Sequence, residues 1–331
     1  MHIAIVYNKP VPSYYDTAGE QKAVNGVLSA VAAVQWSLLE LSHTVVCVPL
    51  EMPIETVKRK LGKLKADLVF NLFEGFCGYP GTEPDIPVIL SEMGIPYTGC
   101  PPDALKLALN KADNKVVLKA GGLDTPDFQL LGPGNLSSFH LRYPCIVKPG
   151  NEDGSHGMSE DSVVNDFPAL ERQLTRVIHL YGGDVTLVEE YINGREFNAT
   201  VIGNSSGKAL AVSEIAFSLS QGMPEILTYA SKWDTDSDYY RGTKAVCPAQ
   251  ISEDERQHIA GVAEKAFALT GCRGYARVDM RMDSQGRLNV IEVNPNPDIS
   301  ADSGAALQAK TAGMDYKDFI GKIISLAQEA K

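Results

Sequence analysis

No stretch of this 331-residue chain approaches the run of about 18 apolar residues that crosses a bilayer. The amino terminus, Met1 to Tyr7, carries neither a basic leader nor a small-residue cleavage site and reads as a first strand. Cysteine is sparse and unpatterned: the six thiols (Cys47, Cys77, Cys100, Cys145, Cys247, Cys272) never fall in a Cys-x-x-Cys spacing, which favours buried, reduced thiols in the cytoplasm. Positive charge is also in deficit. A formal net charge of -11 excludes a broad nucleic-acid or anionic-membrane surface and leaves room only for a local basic pocket. Tandem repeats and low-complexity stretches are missing. With 44% hydrophobic and 21% charged residues, the chain has the balance of a soluble globular enzyme long enough for two or three compact units.

Over the first hundred residues strands alternate with helices, which implies a Rossmann-like parallel α/β sheet. Strands are expected at 3–7, 44–48 and 68–72, with a short one at 95–97. Val24, Val27, Leu28, Val31, Leu38 and Leu41 recur at helical spacing and make one apolar stripe between the first two. After the first strand the loop is Asn8-Lys-Pro-Val-Pro12, so the Gly-x-Gly-x-x-Gly of a dinucleotide site is missing and a nicotinamide-dependent dehydrogenase is a distant reading. Pro101-Pro102 breaks the chain, and Asp103 is placed to cap a helix running to about 119. A strand at 145–148, a Gly-rich loop and a helix near Pro168 come next, and from about 184 strands dominate. Ser252-Glu-Asp-Glu255 has the form of a capping box, opening a helix that Gly271 ends. Three units follow: 1–102, 103–185 and 186–331.

The chemistry gathers in four places. Tyr275 to Arg281 and Leu288 to Asn294 are strand-like and flank a turn, Asp283-Ser-Gln-Gly-Arg287. A hairpin centred between Gln285 and Gly286 sets Asp279 opposite Glu292 and Arg277 opposite Asn294, all on one face. Oxygen ligands with no His or Cys nearby suit Mg²⁺ shared with substrate phosphates, and Arg277 beside them can neutralise charge on a transferred group. An ordinary hairpin with a charged outer face fits the same residues, and a bulge would shift the register. Lys148 ends a strand before Gly154, Ser155, His156 and Gly157, a combination that suits nucleotide phosphates or, equally, an exposed lysine beside a flexible loop. His156 is a candidate base or a loop histidine bonded to its neighbours. Finally, Leu187 to Phe197 holds a strand, a tight turn at Asn193-Gly194 and a second strand, by themselves a hairpin, with backbone groups for a purine edge and Glu196 for ribose hydroxyls.

The order of these pieces is more specific than any one of them. A helix with Lys111, then Lys148 with its glycine loop, then Glu189-Glu190 with Glu196, then Arg277-x-Asp279 and Glu292-x-Asn294 resembles the ATP-grasp superfamily, and within it the D-alanine:D-alanine ligase family. The resemblance covers nearly the whole chain, including Gly94 to Gly99, Thr270 to Tyr275 and Ala312-Gly-Met314. It implies an ATP-grasp fold of a Rossmann-like domain and two α+β subdomains enclosing ATP. It also implies an ADP-forming carboxylate–amine ligase acting through an acyl-phosphate. Lys111 and Lys148 would contact the phosphates under the 154–157 loop, Glu189, Glu190 and Ile192 would line the adenine pocket, and Glu196 would take the ribose. Asp279, Glu292 and Asn294 would hold two Mg²⁺ ions, with Mn²⁺ able to substitute. Arg277, Lys232 and Ser155 would serve catalysis, and Ser303 would bind the carboxylate of the second amino acid. A cytoplasmic homodimer with small amino-acid or amine substrates completes the expectation.

Three departures fall where the family reads its amino acids. The family's Gly-Gly-x-Ser-x-Glu segment is replaced by residues 8–20, with Glu20 offered as the substitute glutamate. Its His-Gly-x-x-Gly-Glu-Asp-Gly becomes Phe73-Glu-Gly-Phe-Cys-Gly-Tyr-Pro-Gly81, without the histidine. Asp298 stands where the family has a glycine, either to meet a cationic acceptor or to cap the following turn. The ATP half is thus preserved and the substrate half altered, leaving open D-alanine, another amino-acid and amine pair, or a catalytically silent nucleotide binder.

Overall fold

The computed structural model describes residues 1–10, 21–149, 157–182 and 184–330, with backbone only for 21–25. Strand β1 (His2–Asn8), helix α1 (Gln21–Glu40), β2 (Thr44–Leu50), α2 (Ile54–Leu61) and β3 (Leu68–Leu72) alternate, and the strands form a parallel sheet in the order β2-β1-β3. The strand expected at 95–97 shrinks to a single bridge from Tyr97 to Val69. Pro96 accepts from the Val69 amide at 2.8 Å but has no N–H with which to extend the ladder. On α1, Val27, Val31 and Leu38 are buried as the periodicity predicts, together with Ala30 and Val34, whereas Leu28 faces outward. The side chain of Val24 lies outside the described residues.

Helix α3 (Asp85–Glu92) precedes α4 (Pro102–Leu109) and α5 (Lys111–Ala120), which replace the single helix expected from 103 to 119. Asp103 is not the cap: Pro101 holds that position and Asp103 lies in the first turn. Asn110, with ψ at 87°, interrupts the helix and caps α5 by accepting from the Asp113 amide at 3.2 Å. The break places Lys111 at a helix start.

Strands β4 (Phe128–Leu131), β5 (Cys145–Lys148) and β6 (Val163–Val164), helix α6 (Phe167–Tyr181) and β7 (Thr186–Glu190) make a four-stranded antiparallel sheet, β4-β7-β5-β6, backed by Leu170, Leu174 and Val177 of α6. The chain then crosses to β8 (Arg195–Gly203), β9 (Lys208–Phe217), α7 (Tyr229–Trp233), α8 (Asp238–Gly242), β10 (Thr243–Val246), α9 (Glu253–Leu269), β11 (Gly274–Met282) and β12 (Leu288–Pro295). These strands form a five-stranded antiparallel sheet, β10-β9-β8-β11-β12. The segment 187–197 is therefore not a hairpin, since β7 and β8 lie in different sheets and 191–194 is the passage between them. Gly194 is required there because any Cβ would collide with the Met282 carbonyl. The capping box opens α9 as expected, with the Ser252 hydroxyl accepting from the Glu255 amide and the Glu255 carboxylate from the Ser252 amide.

After α10 (Gly304–Thr311), α11 (Tyr316–Glu329) returns to the first sheet, where Phe319, Ile320 and Ile323 share a core with Ile3, Ile5 and Phe70. The two ends of the chain thus hold each other. No helix among the described residues is long and apolar enough to cross a membrane. Phe319→Ala is expected to cost about 3–5 kcal/mol of unfolding free energy; urea denaturation that showed less than about 1 kcal/mol would mean that α11 is not part of this core.

Candidate active site

The β11–β12 hairpin builds the site through an irregularity. Met282 pairs with Leu288, Arg281 with Asn289 and Met280 with Val290, so the tip is centred on Gln285, not between Gln285 and Gly286. Asp283 organises this wider turn by accepting from the Gln285 and Arg287 amides at 2.8 and 2.9 Å. A regular ladder continuing from that tip would set Asp279 against Ile291 and turn Glu292 to the buried face beside Val278. Instead the register shifts between Asp279 and Met280, Ile291 becomes the extra residue of a bulge, and Asp279 stands opposite Glu292 with Arg277 opposite Asn294. The expected pairing at the site is present, by a route that the sequence pattern does not show.

The four side chains interact as one group. Arg277 donates to both oxygens of Asp279 at 2.7 and 2.8 Å, and the Asn294 amide donates to Asp279 at 2.8 Å and to Glu292 at 3.2 Å. Burial by itself favours the neutral acid at Glu292, yet Lys111, Lys148 and Arg277 outweigh it and hold the group below the usual carboxylate range. Among the described residues no three His, Cys, Asp or Glu side chains converge on a metal site. Two carboxylates and one amide suit instead a hard cation completed by phosphate oxygens.

Facing the hairpin across a cleft are Lys111, Lys148 and Lys232. Lys148 and a fully buried lysine that the sequence reading missed, Lys115, both lie 2.6 Å from the carboxylate of Glu189, one on each oxygen. Lys115 also donates to Thr125 at 2.8 Å and to the carbonyl of the bulged Ile291 at 3.4 Å. Burial pushes Glu189 toward the neutral acid, but the two ammonium groups bring it down to about 2. Its carboxylate is accordingly committed to the lysines. The spacing of Lys111 and Lys115, four apart on one helix face, was the available signal.

Glu190 and Ile192 border the same cleft, although the Glu190 carboxylate turns outward to Arg142, with contacts at 3.0 and 3.1 Å. Glu196 lies opposite Arg281, a second residue that the sequence reading missed, although it continues the alternation Arg277-x-Asp279-x-Arg281. Gly157 has φ at 74°, where a Cβ would also meet the Tyr181 ring. Gly154, Ser155, His156 and Glu20 lie outside the described residues. Asp298 closes a turn by accepting from the amide and hydroxyl of Ser300, both at 2.8 Å, as its capping alternative predicts. Ser303 caps α10, its hydroxyl accepting from Ala306 at 3.2 Å. A smaller cleft beyond the ends of β1 and β3 brings together Asn71, Glu74, Asn296 and Asp298, apart from the main one.

The family described as D-ala D-ala ligase C-terminus matches residues 117–325. The chain belongs to the D-Ala-D-Ala ligase family. Among curated relatives, the uncharacterized protein y4sG of Sinorhizobium fredii is 33% identical over 277 residues, 83% of this chain and 77% of its own length. D-alanine–D-alanine ligase B of Chromobacterium violaceum is 28% identical, covering 83% of this chain and 84% of its own. In three dimensions the D-Ala:D-Ser ligase VanG of Enterococcus faecalis superposes with a TM-score of 0.77 at 21% identity, over 98% of this chain and 99% of VanG. D-alanine–D-alanine ligase of Bacillus anthracis, in a crystal structure complexed with ATP, superposes with a TM-score of 0.73 at 20% identity, over 99% and 98%. The three-sheet architecture of this D-Ala-D-Ala ligase family member is the ATP-grasp fold.

The Glu189 cluster gives a signed pH dependence. Because the folded group titrates near 2 against an ordinary 4.5, its stabilisation is complete above 4.5 and is lost as the pH falls toward 2. Urea titrations of Glu189→Gln should show a deficit of about 3–5 kcal/mol near neutrality that shrinks in acid. A deficit independent of pH would contradict the ionised, doubly paired carboxylate.

Proposed function

We propose that the protein is an ATP-dependent, ADP-forming ligase that joins a carboxylate to an amine, in the manner of D-alanine–D-alanine ligases. The observation that carries this reading is the shared face of Arg277, Asp279, Glu292 and Asn294, set across one cleft from Lys111, Lys148 and Lys232. A carboxylate is a poor electrophile. Transfer of the γ-phosphate makes it an acyl-phosphate, and attack by an amine then expels phosphate, so no protein nucleophile is needed. In this scheme Lys111, Lys148 and Lys232 neutralise the phosphates and Arg277 stabilises the oxyanion of the tetrahedral intermediate. Backbone groups near Glu190 and Ile192 receive the adenine, and Glu196 the ribose. Glu189 supports this pocket indirectly by fixing Lys148. Asp279 and Glu292, with the Asn294 oxygen, would hold two Mg²⁺ ions, which when bound would supply positive charge to neutralise the phosphates. Ser155 in the covering loop and Ser303 and Glu20 toward the amino-acid substrates complete the assignment. Domain limits at 102 and 185, a cytoplasmic setting and a homodimer belong to the same proposal; the exposed Trp36 and Leu39 of α1 offer a dimer an apolar face.

A second reading, the same chemistry on a different amino-acid and amine pair, is favoured by one feature. The small cleft beside Asn296 is bordered by two carboxylate residues, Glu74 and Asp298, which suits a cationic group. ADP and phosphate release with Mg-ATP, followed across carboxylates and amines including D-alanine, is expected to be substrate-dependent and to fall by at least about 10²-fold in Glu292→Ala. Dipeptide from D-alanine alone supports the first reading and activity with another pair the second. Nucleotide binding without turnover on any pair would refute both and leave a silent binder. Asp298→Gly should shift acceptor preference, and an unchanged preference would confine Asp298 to its turn.

A further inference from the structure

The nucleotide end of the cleft contains a cation to which none of this chemistry assigns a task. Arg281 lies on β11 two residues past Asp279 and its side chain is only 5% exposed. Its Nε donates to Glu196 Oε2 at 3.0 Å, and a terminal nitrogen lies 2.8 Å from the same oxygen. The other terminal nitrogen donates to the Ile192 carbonyl at 2.8 Å, and the first also reaches the Glu225 carbonyl. The Tyr191 and Phe217 rings border the guanidinium at 5.2 and 5.8 Å, and the Tyr191 hydroxyl donates to the same Glu225 carbonyl at 3.2 Å. One planar group therefore ties together β8, the 191–194 passage and the segment that leads into α7 with Lys232. A lysine has no fixed fork with which to make these contacts at once.

We infer that Arg281 is a positioning residue that sets discrimination for the ribose of the nucleotide by holding Glu196 in place. The inference rests on the proposed contact of Glu196 with the ribose hydroxyls. Glu196 and Arg281 are directly opposed on neighbouring strands, and both border the main cleft. With Oε2 engaged by the guanidinium, Oε1 is the oxygen left to accept from a hydroxyl, at a position that the arginine dictates. Without Arg281, Glu196 keeps its negative neighbour Asp279 on the adjoining strand and loses the guanidinium that donates to it, so its carboxylate turns to other partners. The free energy of ordering Glu196 would then fall on the nucleotide, and only on a nucleotide with hydroxyls to offer.

The test is calorimetric binding of Mg-ATP, 2′-deoxy-ATP and 3′-deoxy-ATP, without amino acid, to wild type, Arg281→Met, Arg281→Lys, Glu196→Gln and the double variant Arg281→Met/Glu196→Gln. Wild type is expected to prefer ATP over at least one deoxy analogue by about tenfold or more, the worth of a hydrogen bond to a charged group. Arg281→Met should weaken ATP by about that factor while leaving the disfavoured analogue unchanged, so that discrimination collapses, and in turnover the loss should fall on KM for ATP more than on kcat. Arg281→Lys should recover part of it, and the double variant should be no worse than Glu196→Gln. Equal weakening of all three nucleotides by Arg281→Met, or additive losses in the double variant, would overturn the inference and make Arg281 a brace of the fold. Equal binding of all three by wild type would instead refute the ribose contact of Glu196, and the inference with it. Far-UV circular dichroism on each variant separates these outcomes from misfolding, and Glu196→Gln keeps the ribose question open to measurement even if Arg281→Met does not fold.

Discussion

Glu189 is buried to 1% exposure with an ammonium group 2.6 Å from each of its oxygens, and that contact fixes Lys148 at the wall of the cleft. Two buried lysines on one carboxylate would leave an unbalanced charge in a low-dielectric interior, and the carboxylate of Glu292, which Lys148 also holds ionised, helps to offset it. Lys148 keeps 12% of its side chain exposed, whereas Lys115 is sealed. Of the two, only Lys148 borders the cleft.

The same contact reaches the hairpin. Lys115 donates to the carbonyl of Ile291, the extra residue that puts Asp279 opposite Glu292. Two features that look separate in sequence, a helix with lysines four apart and a hairpin with acids on one face, are joined by a single ammonium group. A hydrogen bond, and not loop lengths alone, thereby ties the acids of the hairpin to the lysines of the Glu189 cluster.

Much of this was legible in sequence because it depends on local periodicity. The parallel strands of the first sheet and the capping box at Ser252 follow from spacing and turn chemistry, whereas the common face of Arg277, Asp279, Glu292 and Asn294, expected from a regular hairpin, is reached through the bulge at Ile291. What escaped depends on long-range pairing. The break at Asn110 is invisible to an apolar stripe that continues on both sides of it. The passage at 191–194 has the local signature of a hairpin, and only the allocation of β7 and β8 to different sheets shows otherwise. The lysine partners of Glu189 escaped for a related reason: a glutamate in a strand discloses nothing of the lysine 74 positions earlier that pairs with it. That separation, from Lys115 to Glu189, spans a whole sheet.

The passage between β7 and β8 has a mechanical side. The four-stranded sheet is inserted between α5 and β8, so the chain enters it once, through 121–127, and leaves it once, through 191–194. A ligand lying in the cleft touches residues of both sheets, Lys148 and Glu190 from one and Glu196 and Asp279 from the other. Such a ligand adds a removable cross-link between two bodies that already meet through two short connections, the Lys115–Glu189 ion pair and an apolar cluster of Ile146, Ile226 and Tyr239. Filling the cleft therefore stiffens one sheet against the other.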